Sequence, residues 1–141
     1  MTFQVTFTDI GQIHLDKKVI GNCINSVFKD SKFTASYIQI VIGSDSYIRE
    51  INKQFLQHNY FTDVITFAER KKNSISGEIF ISLTRIVDNS RKFANGNFIE
   101  ELYRVIIHGL LHLIGYNDKE KEEKEEMKKM EDYYLMKIDL K

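Results

Sequence analysis

His108 and His112 stand four residues apart in the run HGLLHLIGYND, and Asp118 closes that run. On a helix, four steps of about 100° return to nearly the same face, so the two imidazoles project side by side, about 6 Å apart along the axis. Two ring nitrogens at that spacing can meet one ion at about 2.0–2.1 Å, the length of a zinc–nitrogen bond. A third ligand has to come from outside the helix. Asp118 lies ten residues past His108, and a continued helix would carry it about 15 Å away and off the face. Gly115 supplies the exit, because glycine takes the left-handed conformation that ends helices. The Tyr116-Asn117 turn then aims the Asp118 carboxylate back at the ion. Two imidazoles and a carboxylate leave one coordination position open, which is the arrangement of catalytic zinc sites; structural sites are usually closed by four ligands. Water in the open position has its pKa lowered toward neutrality and becomes a nucleophile. The catalytic group read at this level is that metal-bound water, with no side-chain general base in view. The ordinary alternative is a pair of partly buried histidines with no ion. The apolar helix around them, the glycine stop and the placed carboxylate favour the metal.

These residues need a helix to hold them and a framework to hold the helix. Thr2 to Thr8 alternates, with Phe3, Val5 and Phe7 on one face, and predicts a strand. Asp16 caps an amphipathic helix to Lys29 that buries Val19, Ile20, Cys23, Ile24, Val27 and Phe28. Tyr37 to Ile42 is a short apolar strand, and Ser44 caps a helix with Ile48, Ile51 and Phe55 on its inner face. Thr62 to Phe67 is rich in β-branched residues and reads as a strand. Lys71 to Ser76 is polar and reads as a loop, and Gly77 to Ser82 as another strand. A helix from Leu83 to Ala94 stops at Asn95-Gly96. Asn97 and Glu100 form a capping box for a long apolar helix ending near Ile114, and Lys119 to Ile138 is a charged helix. The sum is an α+β fold. A small mixed four-stranded sheet packs with about five helices, and the metal site sits on a central apolar helix.

Composition sets limits on the rest. The 141 residues suit one domain spanning 1–141, and 43% apolar with 28% charged residues is a globular balance. A formal net charge of zero removes any global basic field but leaves room for a local patch. The single cysteine, Cys23, lies in an apolar helical pattern and reads as a core residue. The N-terminus carries neither the basic segment nor the apolar run of a signal peptide, and no stretch approaches the about 20 apolar residues of a membrane span. A monomer in the cytoplasm, with no membrane association, is the expectation.

The run HGLLHLIGYND resembles the signature of the YbeY family, bacterial ribosomal RNA maturation factors described as zinc-dependent endoribonucleases. That signature is His-Gly-x-x-His-x-x-Gly-Tyr-Asp-His. Upstream, Ile51-Asn52, Phe55 and Thr62-Asp63-Val64-Ile65-Thr66-Phe67 are similar to the family's "LN…F/Y…TDVLSF" segment, and Gly77 to Ser82 (GEIFIS) looks like its "GDI-I-S" strand. The resemblance implies a metal-dependent endoribonuclease that cuts single-stranded RNA. It would act in maturation of the 16S ribosomal RNA 3′ end and in ribosome quality control, with one zinc or another divalent ion and the small ribosomal subunit as partner. It places the metal on His108, His112 and Asp118. Asp118 departs from the family's third histidine; the extra negative charge weakens the Lewis acid and can change metal preference. Asn117 replaces the aspartate before it. The family's arginine falls on Leu56, which cannot hold a phosphate, and its lysine falls on His58. His58 is a candidate substitute, or an exposed loop histidine.

Two other functions compete. A zinc peptidase on a similar helix would need a glutamate where Gly109 stands, since HExxH enzymes carry their base there. A non-catalytic assembly factor, with the ion only shaping a surface, is favoured by Leu56. Substrate contact would fall on basic residues flanking the matched segments: Arg49, Lys53 and Arg70, with Lys71 and Lys72. Arg104, one turn before His108, either reaches the site or pairs with Glu100, the pairing being the plainer reading. The charged C-terminal run reads as a solvated helix, with Glu120–Lys124 and Glu125–Lys129 as pairs and Met127, Met130 and Tyr134 as a packing stripe.

Overall fold

A computed structural model describes residues 1–56, 63–93 and 95–138. In chain order the elements are β1 (Thr2–Thr8), α1 (Lys17–Lys29), β2 (Thr34–Gly43), α2 (Asp45–Leu56), β3 (Val64–Lys71), β4 (Ser74–Ser82), α3 (Leu83–Phe93), α4 (Phe98–Leu113) and α5 (Lys121–Met136). Four strands form one sheet in the order β1-β2-β4-β3. β1, β2 and β4 run parallel, and β3 pairs antiparallel with β4 at the edge. The α+β expectation, with its mixed four-stranded sheet and five helices, holds.

Alternation divides the sheet into two faces. On β4, Ile75, Ile79 and Ile81 turn to one side, where they join Ile20 and Ile24 of α1 and Leu102, Ile106 and Leu110 of α4. Phe80 turns to the other, against Ile48 and Ile51 of α2. The parallel strand β2, covered on both faces at its C-terminal end, reads there as a continuous apolar run from Ile40 to Ile42 for that reason. Side chains such as Ile40, Ile79 and Ile106 are fully buried, each contributing about 1.5–3 kcal/mol by leaving water. Helix α4 is buried on nearly every side, from Leu102 to Leu113. It is the central element of its layer, and only a narrow stripe of it meets solvent.

Two caps behave as their residue types dictate. Asp16 accepts from the Lys18 amide (2.9 Å) at α1, and Asn97 accepts from the Glu100 amide (3.1 Å) at α4. The expected loop from Lys71 to Ser76 is mostly strand. β3 continues to Lys71 and β4 begins at Ser74, leaving Lys72-Asn73 as the turn, with Lys72 at φ 57°. The polar composition there reflects exposure at a projecting hairpin, while β2 and β3 on either side satisfy the backbone of β4. Thr62 and Ala94, which bounded two expected elements, lie outside the described residues. Helix α5 begins at Lys121, later than the expected Lys119, because Glu120 and Glu123 form a capping box there. Among the described residues, no helix is long and apolar enough to cross a membrane.

Candidate metal centre

The site is built at the C-terminal half of α4. That helix lies close on β4 because both contribute glycine at the contact. A Cβ on Gly109 would stand 2.7 Å from Ile79 Cγ2, and one on Gly77 would stand 2.5 Å from Leu113 Cδ1. Gly109 therefore faces the sheet, and a glutamate in its place would be driven into Ile79 and away from the ion. Past Leu113 the helix ends in a Schellman motif: the Gly115 amide donates to His112 O (3.0 Å) and the Tyr116 amide to Leu111 O (3.0 Å). Gly115 takes φ 104°, the left-handed region that this motif requires. The chain reverses, and Asp118 returns to the histidines.

The three side chains converge as the spacing predicts. His108 Nε2 and His112 Nε2 are 2.9 Å apart, and Asp118 Oδ2 lies 3.1 Å from the first and 3.4 Å from the second. The other ring nitrogens fix the tautomers. His112 Nδ1 lies 2.8 Å from the backbone oxygen of Tyr116, which can only accept, so Nδ1 carries the hydrogen. His108 Nδ1 lies 2.6 Å from Glu131 Oε2, and an ionised carboxylate likewise only accepts. In the neutral rings both Nε2 atoms then present lone pairs to one another and to a carboxylate oxygen. Three acceptors face a common point with no hydrogen among them, an arrangement that is repulsive until a positive charge enters it. Two nitrogens and one oxygen fit a divalent zinc-like ion, and these residues would hold it.

The electrostatics agree. Burial works to lower the His108 pKa, but the hydrogen bond and charge of Glu131, with Asp118 and Asp63 behind them, outweigh it, and the net shift is upward. The site asks for a cation, whether proton or metal. Glu101, two turns earlier on α4, borders the same cleft and is buried. Burial pushes its carboxyl up to about 7; Arg104 opposes the shift, and Asp63, Glu131 and Glu100 add to it. The cleft between α4 and α5 has a volume of about 500 Å³.

Glu131 is the functional residue that sequence reasoning missed. It is buried on α5, and its two oxygens divide their work: Oε2 receives the His108 ring, and Oε1 receives Arg104 Nη1 at 3.1 Å. Arg104 is bound on its other side to Asp132 (2.7 Å). The expected pairing of Arg104 with Glu100 is thus replaced, because α5 brings two carboxylates closer, and Glu100 stays at the helix cap with Asn97. A signal was available. Among the many glutamates of α5, Glu131 alone falls four residues after Met127 and three before Tyr134, in the buried stripe. The expected Glu120–Lys124 and Glu125–Lys129 pairs are not formed among the described residues, because an exposed pair gains only about 0.3–0.5 kcal/mol and does not hold two long side chains together.

The expected substrate residues lie elsewhere. Arg49 and Lys53 are on α2, which packs on the sheet face opposite α4. Arg70 sits at the hairpin, its guanidinium 4.7 Å above the Phe33 ring and its Nε donating to Lys72 O. None of the three borders the cleft. Leu56 is the last residue of α2 and is exposed, and His58 lies outside the described residues.

The family described as "Endoribonuclease YbeY" matches residues 4–139. The chain is similar to endoribonuclease YbeY of Cytophaga hutchinsonii, 42% identical over 117 residues that cover 82% of this chain and 81% of that one. It is similar also to endoribonuclease YbeY of Parabacteroides distasonis, 41% identical over 127 residues, 90% of this chain and 89% of that one. The chain belongs to the YbeY family. The YbeY resemblance of the segments around Asn52, Asp63 and His108 is thereby confirmed over nearly the whole length. The solution structure of TM1509 from Thermotoga maritima shares the fold, with a TM-score of 0.61 and 27% identity, covering 94% of this chain and 87% of that one. In this YbeY-family chain Asp118 Oδ2 stands within 3.4 Å of the Nε2 atoms of both His108 and His112, so the three could hold one ion.

Proposed function

We propose that this chain is a zinc-dependent endoribonuclease that hydrolyses single-stranded RNA, acting in the cytoplasm as a monomer on 16S ribosomal RNA 3′ ends and in ribosome quality control. The observation that carries the reading is the convergence of His108 Nε2, His112 Nε2 and Asp118 Oδ2 within 3.4 Å of one another. Family membership supports RNA as the substrate. A divalent ion held there supplies Lewis acidity toward a phosphoryl oxygen and a lowered pKa for water. The chain's own residues prepare the ligands. Tyr116 O and Glu131 hold the two Nδ1 hydrogens, so both Nε2 lone pairs stay available; such partners raise ligand basicity and fix ring orientation. Glu131 is itself fixed by Arg104. Asp118 offsets part of the cationic charge at the site.

Cleavage of a labelled single-stranded RNA should follow the metal. Activity should disappear on chelation and return with zinc, and His112→Ala should stay at the chelated level even when zinc is supplied. Equal cleavage by His112→Ala would refute the metallonuclease reading and favour the non-catalytic assembly role.

A further inference from the structure

Lys124 and Lys128 stand four residues apart on α5, both exposed and both bordering the cleft that holds His108 and Asp118. Met127, between them in sequence, is buried at 2% exposure and pins that face of α5 against the body of the protein. Among the described residues, neither lysine side chain makes an ion pair or a hydrogen bond. The other cations of the cleft are already committed: Arg104 to Glu131 and Asp132, and the His108 ring to Glu131 and Asp118. A phosphodiester approaching the metal centre also passes three carboxylates, Glu101, Asp118 and Glu131. Among the described residues that border the cleft, the two lysines are the uncommitted positive charges.

We propose that Lys124 and Lys128 form the phosphate-binding wall of this site, gripping two phosphates of a single-stranded RNA backbone beside the bond to be cut. This rests on the ribonuclease reading above and assigns its substrate contacts. Four residues of helix rise set the two stems about 6 Å apart along α5, a step of the order of that between neighbouring phosphates in one strand. Lysine ammoniums are flexible point charges, suited to holding a backbone without reading bases. Exposed stems also leave both heads free to follow a moving strand.

The test uses the zinc-loaded chain and a fluorescent, phosphorothioate-linked single-stranded oligouridylate, which keeps its backbone charge and resists cleavage. Binding is followed by anisotropy over a range of salt concentrations, for wild type, Lys124→Ala/Lys128→Ala, Lys124→Arg/Lys128→Arg, and Lys17→Ala/Lys18→Ala on α1 as a control. Each phosphate contact on a single strand contributes about 0.7 to the salt slope, so the double alanine variant should lose about 1.4 in slope and bind about 25-fold more weakly at about 0.1 M salt. The arginine variant and the α1 control should bind like wild type, and thermal unfolding of all four should coincide. Wild-type affinity and slope in the double alanine variant, with wild type cutting unmodified RNA, would overturn the lysine assignment alone and point to another anionic partner, such as an acidic protein. An arginine variant as weak as the alanine one would overturn it too, since charge would not be the cause. A wild type that neither binds nor cuts RNA would remove the ribonuclease reading and this one together.

Discussion

Glu131 reaches His108 across 23 residues of chain, from a helix whose sequence looks merely solvated. Its carboxylate holds the His108 ring in the tautomer that leaves Nε2 free, and removing such a partner typically costs 10–100-fold in metal affinity. Glu131→Gln should therefore weaken zinc binding by about 10–100-fold, read by competition with a chromophoric chelator, while leaving the ligand set intact. Unchanged affinity would show that the hydrogen bond is incidental. The ligands themselves were legible because helix geometry converts the spacing of His108 and His112 into a shared face, and Gly115 converts into a reversal that brings back Asp118. Glu131 and the true partners of Arg104 were not, since they depend on where α5 docks. Only the position of Glu131 within the Met127–Tyr134 stripe hinted at it.

Among the elements, α4 carries the most constraint. It is apolar on almost all sides and seated on β4 through Gly109 and Gly77. Gly109→Ala adds a methyl 2.7 Å from Ile79 Cγ2, the β-branch methyl of a fully buried side chain with little room to yield. Overpacking typically costs about 1–3 kcal/mol, and the better helix propensity of alanine returns about 1 kcal/mol. A net loss of about 1 kcal/mol is expected in urea unfolding; a gain would mean that α4 is free to lift from the sheet. Most elements were readable from period and caps, as with β1, α1 and the Asn97 start of α4. The hairpin at Lys72-Asn73 was not, because its strands are polar at their tips and are made strands by the neighbours they pair with. Sheet order, with β3 antiparallel beside β4, likewise depends on contacts between distant segments.

At the scale of the whole molecule, the cleft couples stability to pH. The fold raises the His108 pKa, so that group's contribution is full below its ordinary value of 6.5 and is lost as pH rises through the raised value. The fold also favours neutral Glu101, so a penalty is absent below 4.5 and grows as pH climbs to about 7. Both push the metal-free chain the same way as pH rises, Glu101 between 4.5 and about 7 and His108 above 6.5, toward lower stability. Zinc competes with protons for the same nitrogens, so its stabilisation should grow with pH. Thermal unfolding with and without zinc should therefore diverge from acid to neutral pH; a constant gap would contradict the coupling. The fold class was legible as a whole because strand and helix patterns interleave along the chain, whereas the cleft between α4 and α5 was not, since neither helix alone reveals it. The central claim is that His108, His112 and Asp118 hold one divalent ion. Elemental analysis of the purified chain after zinc loading and desalting tests it most directly. One zinc per wild-type chain is expected, with none retained by His112→Ala, whereas a metal-free wild type or a variant that keeps its full complement would contradict it.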